Sequence, residues 1–535
     1  MCGEGAGGWG AVNIAARLSE RAAQHPSHLA IVEGAGRRAR RTTFGELDRR
    51  VHALAGGLAH RGIGPGDSVL LFVPMSADLY VALLACLHRG ATAVFVDAWA
   101  DRRRLDAAVR IANPKAFIGT PKAHLLRLVS PAVRRIPIHL VAGGRLLSLE
   151  RYEAGGAGDA IAVEGSAPAL VTFTTGSTGA PKAAARSHEF LWAQHLALAA
   201  HLRPREGDID MPTLPVFVLN NLASGTPSVI PDFNPRRPAE IDPARIHRQM
   251  RDEGVTTSSG SPAFYDRLGR WCAETSNRIP LRAMFTGGAP VLPPLARLLA
   301  AVADGDVGVV YGSSEAEPIA GIDAREMLAA MERGIEAERP EGICVGAPVP
   351  EVEVKLLRPH DGPITFGADG LGGWEVGPGE VGEVVVAGSH VLAGYLNDPG
   401  AERLNKIRDG ARVWHRTGDA AWMDEQGRLW LMGRVGERVL RNGQTWWGGA
   451  AEARALDVPG VHHAAYLGIV DSTLGQRAVL CIETASGSLT PAEHDAIRAA
   501  LGPMPLDEVR ALRRIPRDPR HASKTDIAAL RQALR

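Results

Sequence analysis

The chain has 535 residues, 60 of them Lys or Arg and 59 Asp or Glu, for a net charge of +1, with 45% hydrophobic and 22% charged residues. A near-neutral chain without long runs of one sign is not built to track a phosphodiester backbone, so no nucleic acid partner is expected, and its apolar content is that of a folded protein. At about 150 residues per domain the length predicts three or four structural units, or one large domain with a small one.

The five cysteines, at positions 2, 86, 272, 344 and 481, stand singly, so neither a disulfide framework nor a zinc site is expected. The opening MCGEGAGGWGAV has no apolar stretch of signal-peptide length. No run reaches the ~18 to 20 apolar residues that span a bilayer, so no stable membrane insertion and a cytoplasmic location are expected. Only six of the 60 basic residues are lysine, at 115, 122, 182, 355, 406 and 524. In so arginine-rich a chain, a retained lysine points to a place where a compact ammonium is needed.

In chain order, Asn13 to His25 and Thr43 to Arg61 carry apolar residues at helical spacing, and a turn at Gly64-Pro65-Gly66-Asp67 leads into an apolar strand over Ser68 to Pro74. A helix through Cys86 follows, then strands at Ala91 to Val96, Ala116 to Gly119 and Ile138 to Ala142. The same βαβ rhythm returns at Ala169 to Phe173 and Val307 to Tyr311, which predicts two parallel-sheet α/β subdomains. From Val352 the pattern changes to short, glycine-punctuated strands at Val352 to Leu357, Gly382 to Val386 and Arg428 to Met432, a β-rich subdomain. The last ~100 residues carry strands at Ala464 to Ile469 and Arg477 to Glu483 and helices at Thr490 to Leu501 and Thr525 to Leu534, a small α+β domain. The expected division is 1–433 for the large domain and 434–535 for the small one.

The strongest local motif is Val171-Thr-Phe-Thr-Thr-Gly-Ser-Thr-Gly-Ala-Pro-Lys182, an apolar strand running into a turn suited to phosphate. Gly176 and Gly179 allow close backbone approach, Thr174, Thr175, Ser177 and Thr178 supply hydroxyl donors, and Lys182 supplies charge. It is not a Walker A loop, because Ala183 follows the lysine and no Ser/Thr is placed for Mg²⁺, nor a nucleophile elbow, because Ser177 lies in G-S-T-G. Four further motifs follow in order: Phe285-Thr-Gly-Gly-Ala-Pro290, Val310-Tyr-Gly-Ser-Ser-Glu315, Trp414-His-Arg-Thr-Gly-Asp419 and Gly427-Arg-Leu-Trp-Leu-Met-Gly-Arg434. A Tyr311 ring can stack on a purine, Glu315 offers a hard oxygen to Mg²⁺, Asp419 can accept from ribose hydroxyls, and Arg434 can add a charged donor nearby.

Together these motifs resemble those of the adenylate-forming superfamily, which includes acyl-CoA synthetases, peptide-synthetase adenylation domains and luciferases, and the resemblance covers nearly the whole chain. It implies ATP and Mg²⁺ as cofactors, with Gly287, Gly288 and Ala289 bordering the adenine and Tyr311, Gly312 and Ser314 beside the nucleotide. It further implies that Lys524, in Arg517-Asp-Pro-Arg-His-Ala-Ser-Lys524, is the catalytic lysine of a mobile small domain, acting with Lys182 and Glu315 on a carboxylate attacking the α-phosphate. The segment Leu214 to Leu222 lies where the superfamily forms its acyl pocket, which implies that Phe217, Val218, Asn220 and Asn221 bind the substrate. It is mainly apolar and has no Asp for an α-ammonium, so a hydrophobic carboxylic acid is expected.

Pro114 to His124, Ser228 to Pro238, Asn405 to Gly410 and Asp518 to His521 are similar to segments of the β-lactone synthetases of the bacterial long-chain olefin pathway, sequences often labelled fatty-acid CoA ligases. That resemblance implies adenylation of a 3-hydroxy acid followed by AMP-releasing closure to a β-lactone. A CoA ligase, which would add CoA as a cofactor, and a nucleotide-binding scaffold without turnover remain as alternatives. Gly436 stands at the family's hinge position, and Gly443-Gln-Thr-Trp-Trp-Gly-Gly-Ala450 lacks the proline and glutamate common in CoA ligases. Ala183, Ser314 and Ser523 also depart from the usual pattern. A homodimer or a complex with other pathway enzymes is left open.

Overall fold

The computed structural model describes residues 13–96, 102–143, 149–155, 158–175, 181–234, 237–336, 342–367, 370–517 and 524–534. The N-terminal βαβ pattern forms a six-stranded sheet in the order Ile138–Val141, Ala116–Gly119, Ser68–Phe72, Thr92–Phe95, Pro168–Thr175 and Pro181–Ser187. Its first five strands are parallel and the last pair is an antiparallel hairpin. Helix Phe44–His60 starts at a capping box in which Thr43 and Glu46 satisfy each other's backbone N–H groups. It packs on helix Ala77–His88, which is buried on every face, as its nearly unbroken apolar sequence requires.

A fourteen-stranded sheet forms the second layer system. Strands Asp210–Pro212, Thr257–Gly260, Ala283–Gly287 and Asp306–Ser313 run parallel, and Asp306–Ser313 then folds back on Ala316–Asp323. The glycine-punctuated strands beyond residue 352 do not close into a sheet of their own. Ile343–Pro348 pairs with Ala316–Asp323 on one side and with Leu429–Arg434 on the other, so Glu353–Leu357, Gly382–Ala387 and Arg412–Met423 extend the same sheet. One apolar cluster runs across this join, from Met284 and Val309 to Trp422 and Trp430. Near the C-terminus His463–Asp471, Gly475–Glu483 and Glu508–Leu512 form a separate three-stranded sheet accompanied by helices Gly448–Leu456, Pro491–Leu501 and Ile527–Ala533.

The two large sheets meet along a seam of two backbone contacts and one side-chain bond. Ala184 bridges Tyr395, Leu396 N donates to the Ala183 carbonyl at 2.9 Å, and Arg186 donates to the Ser314 carbonyl at 2.7 Å. Behind the seam, Arg416 is buried and forms an ion pair at 2.6 Å with Glu383, itself 2% exposed, while also donating to the Gly362, Leu404 and His360 carbonyls. The arginine of Trp414-His-Arg-Thr-Gly-Asp419 therefore works as a structural rivet. Removing one partner of such a pair strands a buried charge, so Glu383→Ala is expected to lower unfolding stability by about 3–5 kcal/mol, read as a shifted urea midpoint.

Candidate active site

The tight turn between Asp306–Ser313 and Ala316–Asp323 fixes Glu315, because the Ser313–Ala316 pairing leaves just two residues to turn the chain. The Glu315 carbonyl accepts from Leu392 N at 2.7 Å and its Oε1 accepts from the Tyr395 hydroxyl at 3.1 Å. Burial alone would raise this carboxyl, yet it lies below the ordinary value because cationic and hydroxyl neighbours outweigh burial. His415 faces it too, but burial pushes that imidazole down to about 3; Lys406 and Arg186 also act to lower the Glu315 carboxyl.

Lys182 follows from the hairpin register: Thr174 pairs with Lys182 and Thr175 with Pro181, so the lysine flanks the end of strand Pro168–Thr175. Its Nζ donates to Asn405 Oδ1 at 3.1 Å and lies 5.7 Å from the centre of the Tyr395 ring. Burial lowers its pKa, opposed by Glu315 and Asp398. The loop residues Gly176, Ser177, Thr178 and Gly179 lie outside the described residues.

A second group forms where Asp419 and Arg434 pair across Arg412–Met423 and Leu429–Arg434. Asp419 accepts from Arg434 at 2.6 Å and from the Tyr311 hydroxyl at 2.9 Å. The charge of Asp419 holds the guanidinium firmly protonated, and burial pushes the Tyr311 phenol far up. The edge of this group is cut close by glycine. A Cβ on Gly287 would stand 2.4 Å from the Val310 carbonyl oxygen, and Gly288 has φ of +77°, a conformation that other residues rarely adopt. Ala289 continues that turn, Gly312 precedes the turn that carries Glu315, and Ser314 is the other residue of that turn.

Lys524 is exposed and precedes helix Ile527–Ala533. The adjacent Thr525 is held by a 2.9 Å contact to His463 Nε2 and a bridge to Arg517. The Lys524 charge acts on Glu437, whose carboxyl is raised by burial and also feels Arg434, Arg531 and Asp419. Gly436 sits in the turn Val435–Glu437 with open space where a Cβ would stand.

The four residues expected to bind substrate lie on helix Pro215–Ser224 and are all buried. Val218 packs in the N-terminal core, and Asn221 donates to Asp210 at 2.8 Å and to Ser228 at 3.1 Å. Phe217 is buried on the same helix. Asn220 borders a small cavity of about 50 Å³, with its Oδ1 2.8 Å from His195 Nδ1 and with Leu191, Trp192, Leu198 and Leu219 as apolar wall.

Tyr395, Lys406, His415 and Arg186 belong to the Glu315 group without having been singled out by sequence. Lys406 is 6% exposed, its Nζ donates to the Leu392 carbonyl, and it lies 5.3 Å from the centre of the Tyr395 ring. The usable signal was the scarcity of lysine. Glu315 fits a hard divalent cation as a single carboxylate ligand, with further oxygens to come from phosphate and water.

Residues 18–396 match the family described as AMP-binding enzyme. The chain belongs to the AMP-binding enzyme family. It is 37% identical over 514 residues, 91% of each chain, to the olefin β-lactone synthetase of Stenotrophomonas maltophilia, and 35% identical over 501 residues, 89% of this chain and 87% of the other, to that of Xanthomonas campestris pv. campestris. In structure it is similar to ATP-bound MatB from Rhodopseudomonas palustris, with a TM-score of 0.80 at 24% identity over 98% of this chain and 99% of that one. Among AMP-binding enzymes, then, this chain shares nearly full length with two that bear the same description. A hydrogen bond to a charged group contributes ~1.5–3 kcal/mol, so Tyr395→Phe is expected to slow ATP–pyrophosphate exchange by at least about tenfold in a protein that circular dichroism shows still folded. Exchange at the parental rate would remove the Tyr395–Glu315 bond from the working site.

Proposed function

We propose that this AMP-binding enzyme activates a hydrophobic 3-hydroxy acid with ATP and then closes it to a β-lactone. In the first step a carboxylate oxygen attacks the α-phosphorus, the bond to pyrophosphate breaks, and an acyl-adenylate forms. In the second the 3-hydroxyl oxygen attacks the acyl carbon, the acyl–phosphate bond breaks, AMP leaves, and the hydroxyl proton passes to water or to AMP. The observation that carries the reading is that Tyr395 lies between Glu315 and Lys182 at the join of the two large sheets, while the Asp419–Arg434 pair is bonded to Tyr311 on the strand that leads into the Glu315 turn.

Two anions must meet in the first step, so cationic groups held in place beforehand stabilise the charge that develops there. Lys182 would face the departing phosphates and Lys524 the carboxylate and α-phosphate, while Asp419 and Arg434 hold the sugar. Mg²⁺ held by Glu315 would supply further charge neutralisation on the phosphates. The segment 434–535 serves as the small domain and turns about Gly436, which has a backbone free to adopt other angles. The second step is assigned on the near full-length similarity to the two olefin β-lactone synthetases. The loss of the proline and glutamate in Gly443 to Ala450 fits an acceptor other than CoA.

Release of pyrophosphate and AMP, with 3-hydroxy and unsubstituted fatty acids and with and without CoA, tests this directly. The expected outcome is AMP release from 3-hydroxy acids alone, independent of CoA, with a lactone as product. AMP release that requires CoA would replace this reading with a thioester-forming ligase, and no pyrophosphate release from any acid would favour a silent scaffold.

A further inference from the structure

The even charge balance of the whole chain conceals a local imbalance. The described residues 102–143 hold nine Lys or Arg and one Asp, in a chain with 60 basic and 59 acidic residues. These cations do not form a run in the sequence; the fold gathers them. Helices Arg102–Ala112, Leu126–Val129 and Pro131–Arg134 pack Leu105, Val109, Leu126 and Val133 into one apolar cluster with Val94 and Phe117 of the N-terminal sheet, and so share one of its faces. The single acid, Asp106, is already engaged: it accepts from the Ser130 hydroxyl and lies 3.8 Å from Arg102. Arg103, Arg110, Lys122, Arg134 and Arg135 are exposed and, among the described residues, have no acidic partner.

Three apolar side chains stand in water beside these cations. The turn Ala123–Leu125 runs directly into helix Leu126–Val129, and the spacing i, i+3, i+4 puts Leu125, Leu128 and Val129 on one side, exposed by 59, 76 and 53%. Among the described residues the other large exposed hydrophobics, at 196, 214, 404, 440 and 470, are scattered singly, whereas these three fall within five positions. The segment is fixed to the sheet: Leu126 turns inward, and His124 Nε2 lies 3.0 Å from the Leu140 carbonyl of the edge strand Ile138–Val141. Gly119 and Thr175 end parallel strands three positions, or about 15 Å, apart, so the segment that starts at Thr120 leaves the sheet on the edge that carries Lys182.

We propose that this face docks the protein on the surface of an anionic phospholipid bilayer, with Leu125, Leu128 and Val129 entering the interface and the surrounding basic side chains meeting lipid phosphates. Apolar contact and attraction to a negative surface reinforce each other in such docking. A nucleic acid backbone would use the cations and leave the aliphatic groups in water. A second copy of this chain, paired through the same patch, would set one excess of positive charge against another. Surface docking requires no spanning helix, and among the described residues none is long and apolar enough to cross a membrane.

Co-sedimentation of the full chain with vesicles tests this, using phosphatidylcholine alone and phosphatidylcholine mixed with phosphatidylglycerol. The parent is expected to bind the mixed vesicles, to bind phosphatidylcholine at least about tenfold more weakly, and to be released by high salt. The triple variants Leu125→Ser/Leu128→Ser/Val129→Ser and Arg103→Gln/Arg134→Gln/Arg135→Gln, each checked for folding by circular dichroism, are expected to bind the mixed vesicles at least about tenfold more weakly than the parent. Val470→Ser, which removes an 87% exposed side chain from the C-terminal sheet, is expected to bind like the parent. No binding of the parent to mixed vesicles, or parental binding by either triple variant, overturns the proposal. Two further results would overturn it by assigning the face elsewhere: duplex DNA bound by the parent and lost only in the arginine variant, or a dimer in analytical ultracentrifugation that only the serine variant dissolves, in either case without vesicle binding.

Discussion

The seam between the six-stranded and fourteen-stranded sheets is the constraint on which the rest depends. Its backbone contacts, Ala184 with Tyr395 and Leu396 with Ala183, and the bond from the Arg186 guanidinium to the Ser314 carbonyl bring together pieces of chain more than 100 residues apart. Each contact lies next to a chemically active side chain. The hairpin that supplies Ala183 and Ala184 also presents Lys182, and the turn that supplies Ser314 also presents Glu315. Joining the sheets and assembling the site are therefore one event. A shift of about 1 Å along this seam would misplace the lysine relative to the carboxylate, and misplacements of that size cost ~10²-fold in rate.

The charges at the seam follow the logic of a polyanion site. Cations are gathered and held before the ligand arrives, by Asn405 for Lys182 and by a backbone carbonyl for Lys406, so little reorganisation remains to be done on binding. Burial opposes that arrangement: it pushes Lys406 down to about 7 and His415 down to about 3. Held neutral, His415 adds no further positive charge beside the two lysines. Arg416, three residues before Asp419, is drawn away from the ligand side by its pair with Glu383 and fixes the strand that carries Asp419.

Much of this was legible in the sequence because it is local. The strand-turn-lysine segment, the turn at Glu315 and the two motifs around Asp419 and Arg434 each carry their residue types at short spacing, and hydrophobic periodicity located the strands that hold them. What local pattern does not contain is pairing between distant strands. The glycine-punctuated strands after residue 352 read as a separate β-rich unit, but Ile343–Pro348 joins them edge to edge with the α/β sheet. For the same reason Tyr395 was not legible as a site residue, and Lys406 stood out only as one of six lysines: nothing within ten positions of either reveals that Glu315 lies beside them. Asn221 shows the converse, since a polar residue in an apolar segment reads as a substrate contact until its bonds to Asp210 and Ser228 are seen.

The central claim is that the seam binds the triphosphate between Lys182 and Glu315 with the sugar at Asp419. A crystal structure of the protein with a non-hydrolysable ATP analogue and Mg²⁺ tests it most directly. The account predicts phosphate oxygens within hydrogen-bonding distance of Lys182 Nζ, a cation on Glu315 and ribose hydroxyls on Asp419. A nucleotide bound elsewhere, with Lys182 still on Asn405 and Asp419 still closed by Arg434 and Tyr311, would contradict it.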